Sequence, residues 1–389
     1  MKSLPEATVN KPARDLRIDV VRGLILLIIF INHMPGNIIS QYTPYYFGFS
    51  DSSEVFVLLA GVSAVLAYGR LINQRGLAVG VLRIVARVWT LYVAHLMVFL
   101  IACGVIFFAI SKTQNPLYVE VINIQPFLID PVSALLDVLT LVYQPSFLNI
   151  IPLYIVLLAV FPLVYWLVRI HPIFGLLVSL SIWQAAVHWS LNFPDRFGGG
   201  WFFNPLAWQL VFTFGVLIGH AMDQGYILIK SRLLTALAIL VVLGLGFIKT
   251  YTMGSLNWPL FEHWVDVIHL SNDKMNQSVV RIVHLLALVW IFCSLISSHA
   301  LFLRSWVCRG LASMGRHSLA VFCVGTVLSI MGQILMAETA YSLEMQLIIC
   351  ITGGTLLFGL GAFLSWYQSL PGLGGARRTL PLAPVLSKP

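Results

Sequence analysis

The chain has 389 residues, of which 59% are hydrophobic and only 10% charged, and its mean hydropathy is +0.90. Soluble domains carry about 25% charged residues, so a soluble enzyme is excluded and an all-α polytopic membrane protein is expected. The formal net charge of +8 does not indicate nucleic acid, because the basic residues are scattered among apolar segments. None of the five cysteines forms a CxxC pair, so neither a disulfide framework nor a metal site is expected.

Residues 1–18 read as a polar tail, with Lys2, Lys11, Arg14 and Arg17 beside Glu6 and Asp15. The tail has no apolar run ending in a small-residue cleavage site, so no removable signal peptide is expected. Apolar runs then predict about ten spanning helices, at about 20–41, 53–70, 79–110, 149–170, 173–191, 205–223, 232–250, 278–298, 313–335 and 343–366. The third is long enough to project beyond a bilayer, and Arg83 and Arg87 lie on its basic end. Pro131 and Pro145 bound an apolar, interfacial helix from Val132 to Val142. Gly198-Gly199-Gly200 and Pro205 blur the boundary between the fifth and sixth spans.

Residues 251–277 carry Trp258, Glu262, His263, Trp264, Asp266, His269 and Asp273. That mixture suits carbohydrate, and the aromatic residues equally suit plain anchoring at a membrane interface. After Leu370 the chain is rich in Pro and Gly, and disorder is expected there. The plan is therefore a tail at 1–18, a membrane body at 19–367 and a second tail at 368–389. No internal repeat is visible, which disfavours an inverted-repeat transporter.

Charge placement sets the topology. With the N-terminus in the cytoplasm, eighteen of the twenty-three Lys and Arg fall on the cytoplasmic side. Lys112, Arg196, Lys249 and Lys274 fall on the other side, and Arg281 lies within a span. Dropping one helix would invert every later loop, so an even number of spans with both termini cytoplasmic is expected.

The stretch Asp19 to Asn37 holds the sharpest chemical signal. His33 stands eleven positions after Arg22, which leaves them about 20° apart on one helix face and roughly 16 Å apart along its axis. With Arg22 at one interface, His33 sits near the midplane, where an ionisable residue marks a candidate site. Asn32 and Asn37 add polar groups, and Pro35-Gly36 breaks the helix just beyond the histidine. Imidazole is the natural general base for activating a hydroxyl. Asp19 and Arg22 can pair at i,i+3. Arg22, Arg83 and Arg87, with Arg70 and Arg75 nearby, make a cationic mouth suited to phosphate, although Arg22 alone also reads as a membrane anchor.

The other candidates open later helices. Phe47-Gly-Phe-Ser-Asp-Ser-Ser-Glu54 places Asp51 and Glu54 either as a capping box or as carboxylates that orient His33 or bind an acceptor hydroxyl. Asn204 and Pro205 are ordinary helix-start chemistry, followed by Trp208 and Gln209 facing a site. Arg281 and His284 form an intramembrane pair in which Arg281 can hold a carboxylate. Arg316 and Ser318, in Gly315-Arg-His-Ser318 opening the ninth helix, suit phosphate. Tyr154 follows Pro152 as a further polar tip, and an interfacial tyrosine explains it equally.

At these residues the chain resembles a known group. Arg22, ten residues and His33 are similar to the Arg/Lys-x10-His motif of the membrane acyltransferase-3 superfamily. Arg17-Ile-Asp-Val-Val-Arg-Gly23, His33-Met-Pro-Gly-Asn37, Phe47 to Phe56, Pro152-Leu-Tyr154, Asn204-Pro-Leu-Ala-Trp-Gln209, Arg281-Ile-Val-His284 and Gly315 to Phe322 resemble the OpgC family. The likeness runs over about residues 14 to 367, nearly the whole chain.

The resemblance implies a bacterial inner-membrane succinyltransferase acting on osmoregulated periplasmic glucans. Succinyl-CoA would be a cytoplasmic co-substrate, with no permanently bound cofactor. His33 would be the base, with Asp51 and Glu54 beside it. Arg22, Arg83, Arg87, Arg316 and Ser318 would meet the donor. Asn37, Tyr154, Asn204, Trp208, Gln209, Arg281 and His284 would serve the acceptor or acyl group. The expected partners are succinyl-CoA, glucan and the bilayer, with a homo-oligomer allowed by the plentiful apolar faces. A flippase of a charged envelope precursor would use the same intramembrane Arg and His. An O-acetyltransferase of another envelope polysaccharide would share the chemistry.

Overall fold

The computed structural model describes residues 15–226, 230–250 and 272–370, all helix, turn and loop with no strand. The expectations for Trp258, Glu262, His263, Trp264, Asp266 and His269, and for the tails before 15 and after 370, lie outside the described residues. Among the described residues, seven helices are long and apolar enough to cross a membrane. These are α2 (Ser52–Arg75), α3 (Leu77–Thr113), α5 (Ile150–Ile170), α7 (Pro205–Asp223), α8 (Arg232–Thr250), α11 (Ser318–Glu338) and α12 (Leu343–Ser369). Three more coincide with expected spans but are 17 residues each: α1 (Leu16–Asn32), α6 (Pro172–His188) and α9 (Val279–Leu295). The expected interfacial helix is α4 (Pro131–Leu139), started by Asp130, whose carboxylate accepts from the Ser133 amide. At 37 residues, α3 is about 56 Å long, well beyond a ~30 Å hydrocarbon core.

Two boundaries differ from expectation, and both differences shape the site. The first helix stops at Asn32 rather than near 41. Pro35 has no amide hydrogen and restrains Met34, and Gly36 takes a φ of +82° that favours glycine. The chain then folds back through a 3₁₀ turn (Ile38–Tyr42) and a short turn (Pro44–Phe47). The ninth predicted span is two helices, α10 (Trp306–Arg316) and α11, broken at His317. Arg316 therefore closes one helix, and Ser318 opens the next.

Backbone proximity explains why α10 forms where a loop was expected. A Cβ on Gly23 would sit 1.9 Å from the Leu311 carbonyl oxygen, and one on Gly315 would sit 2.0 Å from the Asp19 carbonyl oxygen. Glycine at both positions lets α1 and α10 cross backbone to backbone, the way small residues work in membrane helix pairs. A second crossing joins α2 and α7, where a Cβ on Gly61 would meet the Phe212 oxygen at 2.2 Å. Around these crossings Phe30, Phe161, Tyr165, Trp208 and Phe212 are fully buried. Helix α2 passes through a π-helical turn at Val65–Gly69, a feature often found beside functional sites.

Candidate functional site: two cavities and an aromatic partition

Arg22 and His33 lie on one helix, as the spacing predicts, yet they open onto different cavities. The first cavity holds about 410 Å³ and is lined by Arg22, Arg83, Arg87, Arg316 and Ser318. Among the described residues four guanidinium groups face it, and no carboxylate does. Arg83 and Arg87 reach it at i,i+4 on α3, while Arg316 comes from the end of α10. Arg22 is braced by the Ser63 hydroxyl and by the Leu59 carbonyl at 3.3 Å, with Asp19 at 3.9 Å. Arg316 bonds the Ser313 hydroxyl at 3.1 Å and the Ala312 carbonyl at 3.3 Å. Ala67 and Tyr68, from the π-helical turn, complete one wall. Arg70 is not part of this mouth, because it pairs with Asp223 at 2.6 Å. Arg75 lines an adjoining groove with Arg83.

The second cavity holds about 550 Å³, and His33, Asn32, Asp51, Asn149 and Lys274 line it. His33 caps the C-terminus of α1: its amide donates to the Ile29 carbonyl at 2.9 Å, and its carbonyl accepts from Gln333 Nε2 at 2.6 Å. The imidazole packs on Phe147 with centroids 4.7 Å apart and edge-on to Phe322 at 6.4 Å. Its Nδ1 is buried without a hydrogen-bond partner among the described residues. Neither Asp51 nor Glu54 orients the ring through that nitrogen; aromatic packing does so instead.

The capping-box reading of the Asp51 stretch holds, and one of its two carboxylates also faces the cavity. The capping box is present: Asp51 accepts from the Ser53 amide at 2.8 Å, and Glu54 Oε2 accepts from the Asp51 amide at 2.8 Å. Asp51 also faces the cavity, paired with Lys274 at 2.6 Å and with Arg281 at 3.6 Å. Glu54 is fully buried, away from either cavity, and accepts from Arg281 Nε at 2.7 Å and from Gln277 Nε2 at 3.1 Å. The carboxylate expected for Arg281 is therefore Glu54.

Most residues expected to bind acceptor instead brace the chain around this cavity. Arg281 and His284 are buried in the bundle. His284 Nδ1 lies 2.6 Å from Ser50 Oγ, and a Cβ on Gly48 would sit 2.2 Å from its Cε1, so this ring holds the loop before Asp51. Trp208 Nε1 donates to the Lys274 and Met275 carbonyls at 3.2 and 3.1 Å, and Asn204 Nδ2 donates to Asn276 Oδ1 at 2.8 Å. Those two residues fix the segment that presents Lys274. Gln209 ties α7 to α6 through Ser179, with Oε1 accepting at 2.6 Å. Asn37 caps the 3₁₀ turn and bonds Cys350. Each of these side chains hydrogen-bonds within the protein, and among the described residues that line the two cavities none of them appears. Tyr154 lines the arginine cavity rather than the histidine cavity.

Between the two cavities lies a space of only about 20 Å³, bounded by Phe56, Arg87, Ile150, Tyr154, Ser318 and Phe322. Phe56, Arg87, Tyr154 and Ser318 also face the arginine cavity, and Ile150 and Phe322 also face the histidine cavity. The Phe56 ring centroid lies 6.4 Å from that of Tyr154, edge-on, and 6.4 Å from that of Phe322, tilted. These rings form the partition between the cavities. The sequence reading missed Lys274, counted there only as a loop charge, and Phe147. Phe56 and Phe322 stood within the quoted motifs without a role, so motif membership was the one available signal for them.

No curated protein and no solved structure shows a match to the chain. A family model described as OpgC protein matches residues 14–369, which takes in both cavities, the partition between them and every helix described above. The chain belongs to the OpgC family.

Proposed function

We propose that this protein is an inner-membrane O-acyltransferase that moves a succinyl group from cytoplasmic succinyl-CoA to a hydroxyl of a periplasmic glucan. At family level, membership supports a role in succinylation of osmoregulated periplasmic glucans. The observation that carries the mechanism is the pairing of a four-arginine cavity with a histidine cavity across a thin aromatic partition. Guanidinium groups suit the phosphates of coenzyme A, and imidazole suits deprotonation of a sugar hydroxyl. The charge bias of the loops supports a cytoplasmic arginine side, ten crossings and both termini in the cytoplasm.

In this reading coenzyme A docks on Arg22, Arg83, Arg87 and Arg316 and sends its thioester arm through the partition. The glucan hydroxyl enters from the periplasmic side beside Asp51. His33 takes the hydroxyl proton as the oxygen attacks the thioester carbon. The new C–O bond forms, the C–S bond breaks, and the leaving thiolate takes the proton from the imidazolium. Neither substrate crosses the membrane.

Purified protein should transfer label from succinyl-CoA to glucan. Two cavities separated by a closed constriction would also serve alternating access, and a transporter would leave the acyl bond intact. Absence of label on the glucan would overturn the enzyme reading. Replacing both Arg83 and Arg87 with Met should raise the KM for succinyl-CoA at least tenfold, each lost charged contact costing about 1.5–3 kcal/mol. An unchanged KM in the double variant would remove α3 from the donor site. Phe56→Ala should thin the partition and admit water to the thioester. We expect free coenzyme A to appear faster without glucan, and hydrolysis equal to the unaltered protein's would show that Phe56 does not seal the passage.

A further inference from the structure

Among the described residues Lys274 is the only lysine or arginine lining the histidine cavity, where it pairs with Asp51. Its place follows from how a donor would lie. A thioester arriving from the arginine cavity through the partition presents its carbonyl at His33. Whatever follows that carbonyl must then extend onward into the histidine cavity. For a dicarboxylic acyl group, the end that extends is a carboxylate. An ionised carboxylate moved from water into a cavity within a membrane protein needs a cation, or the cost of burying it prevents binding.

We propose that Lys274 is the receptor for the distal carboxylate of the acyl group and so selects anionic over neutral acyl donors. This rests on the acyltransferase reading above and adds the residue that chooses the substrate class. Three observations support it. The Lys274 side chain is 27% exposed, against 5% for Arg281, so of the two cations beside Asp51 it is the accessible one. Asp51 would keep a cationic partner if Lys274 turned to the acyl group, because Arg281 also lies 3.6 Å from it. A lysine ammonium on a four-carbon stem suits such a turn, whereas the Arg281 guanidinium is held by Glu54 and Asn272. The backbone beneath Lys274 is rigidly presented, since its own carbonyl accepts from Trp208 at 3.2 Å. Among the described residues the lining around it, with Phe147, Phe202, Phe203 and Ile150, includes no second lysine or arginine.

The test compares succinyl-CoA with butyryl-CoA, a neutral donor of nearly equal length, on the purified full chain with glucan as acceptor. The unaltered protein should favour succinyl transfer. Lys274→Met should lower the ratio of succinyl to butyryl kcat/KM by about ten- to a hundredfold, the worth of one charged hydrogen bond. Lys274→Arg should restore most of the ratio, which a purely structural role in holding Asp51 does not require. Equal loss of both donors in Lys274→Met, leaving the ratio unchanged, would overturn the proposal and make Lys274 a brace. An unaltered protein indifferent between the two donors would also overturn it. If the unaltered protein transfers neither group, the acyltransferase reading itself falls, an outcome distinct from either of these.

Discussion

His33→Ala should lower acyl transfer by about 10²- to 10⁴-fold, the usual contribution of a positioned general base, while the protein remains folded in the membrane. The expectation that folding survives comes from how the residue is held. Its amide and carbonyl bond Ile29 and Gln333, and neither contact uses the imidazole. The ring faces a cavity, so its removal enlarges an existing space rather than opening a void in a packed core. His33→Gln, which keeps a polar group of similar reach but no usable base, should be equally inactive. Label transfer to glucan, measured beside the amount of protein recovered from membranes, checks both halves. Full activity in His33→Ala would remove the histidine from the mechanism.

Glu54→Ala should be the most damaging change to stability. Glu54 is fully buried and Arg281 is 4% exposed, and their bond at 2.7 Å links α2 to α9. Removing Glu54 leaves Arg281 with only the Asp51 carboxylate at 3.6 Å, which Lys274 already shares, so the loss approaches the about 3–5 kcal/mol of breaking a buried pair. The same change removes the acceptor for the Asp51 amide and half of the capping box. We expect a large fall in melting temperature and in the yield of monodisperse protein in detergent. Adding Arg281→Met to the single variant should recover part of the loss, because no lone charge then remains inside the bundle. A single variant that melts with the unaltered protein would show that the pair does not hold these helices together. This outcome is separate from catalysis, since Glu54 faces neither cavity.

Some of the site was legible before any tertiary contact was known. Asp19 with Arg22, and Arg83 with Arg87, meet because helical neighbours at i,i+3 and i,i+4 share a face, which is local geometry. Gathering Arg22, Arg83, Arg87, Arg316 and Ser318 at one cavity was expected from their common charge side. The division of labour between Asp51 and Glu54 could not be read, because both satisfy the same capping pattern. Only Lys274 and Arg281, more than two hundred residues away, decide which carboxylate faces the cavity. The α10 helix was missed because its stability comes from the close crossing with α1, which no short-range pattern reports.

The sequence by itself determined that the chain is a helical membrane protein, where nearly all of its helices lie, and that Arg22 and His33 share a helix face. Hydropathy, helical period and charge bias are local or additive quantities, and the bilayer reads them segment by segment. Tertiary structure alone decided that Arg22 and His33 open onto separate cavities and that Phe56, Tyr154 and Phe322 close the space between them. It also placed Asn37, Asn204, Trp208, Gln209, Arg281 and His284 outside the lining of both cavities, each hydrogen-bonded within the protein. The physical reason is that a buried polar group must find a partner. Those partners sit on distant segments: Cys350 for Asn37, the Lys274 carbonyl for Trp208, Glu54 for Arg281.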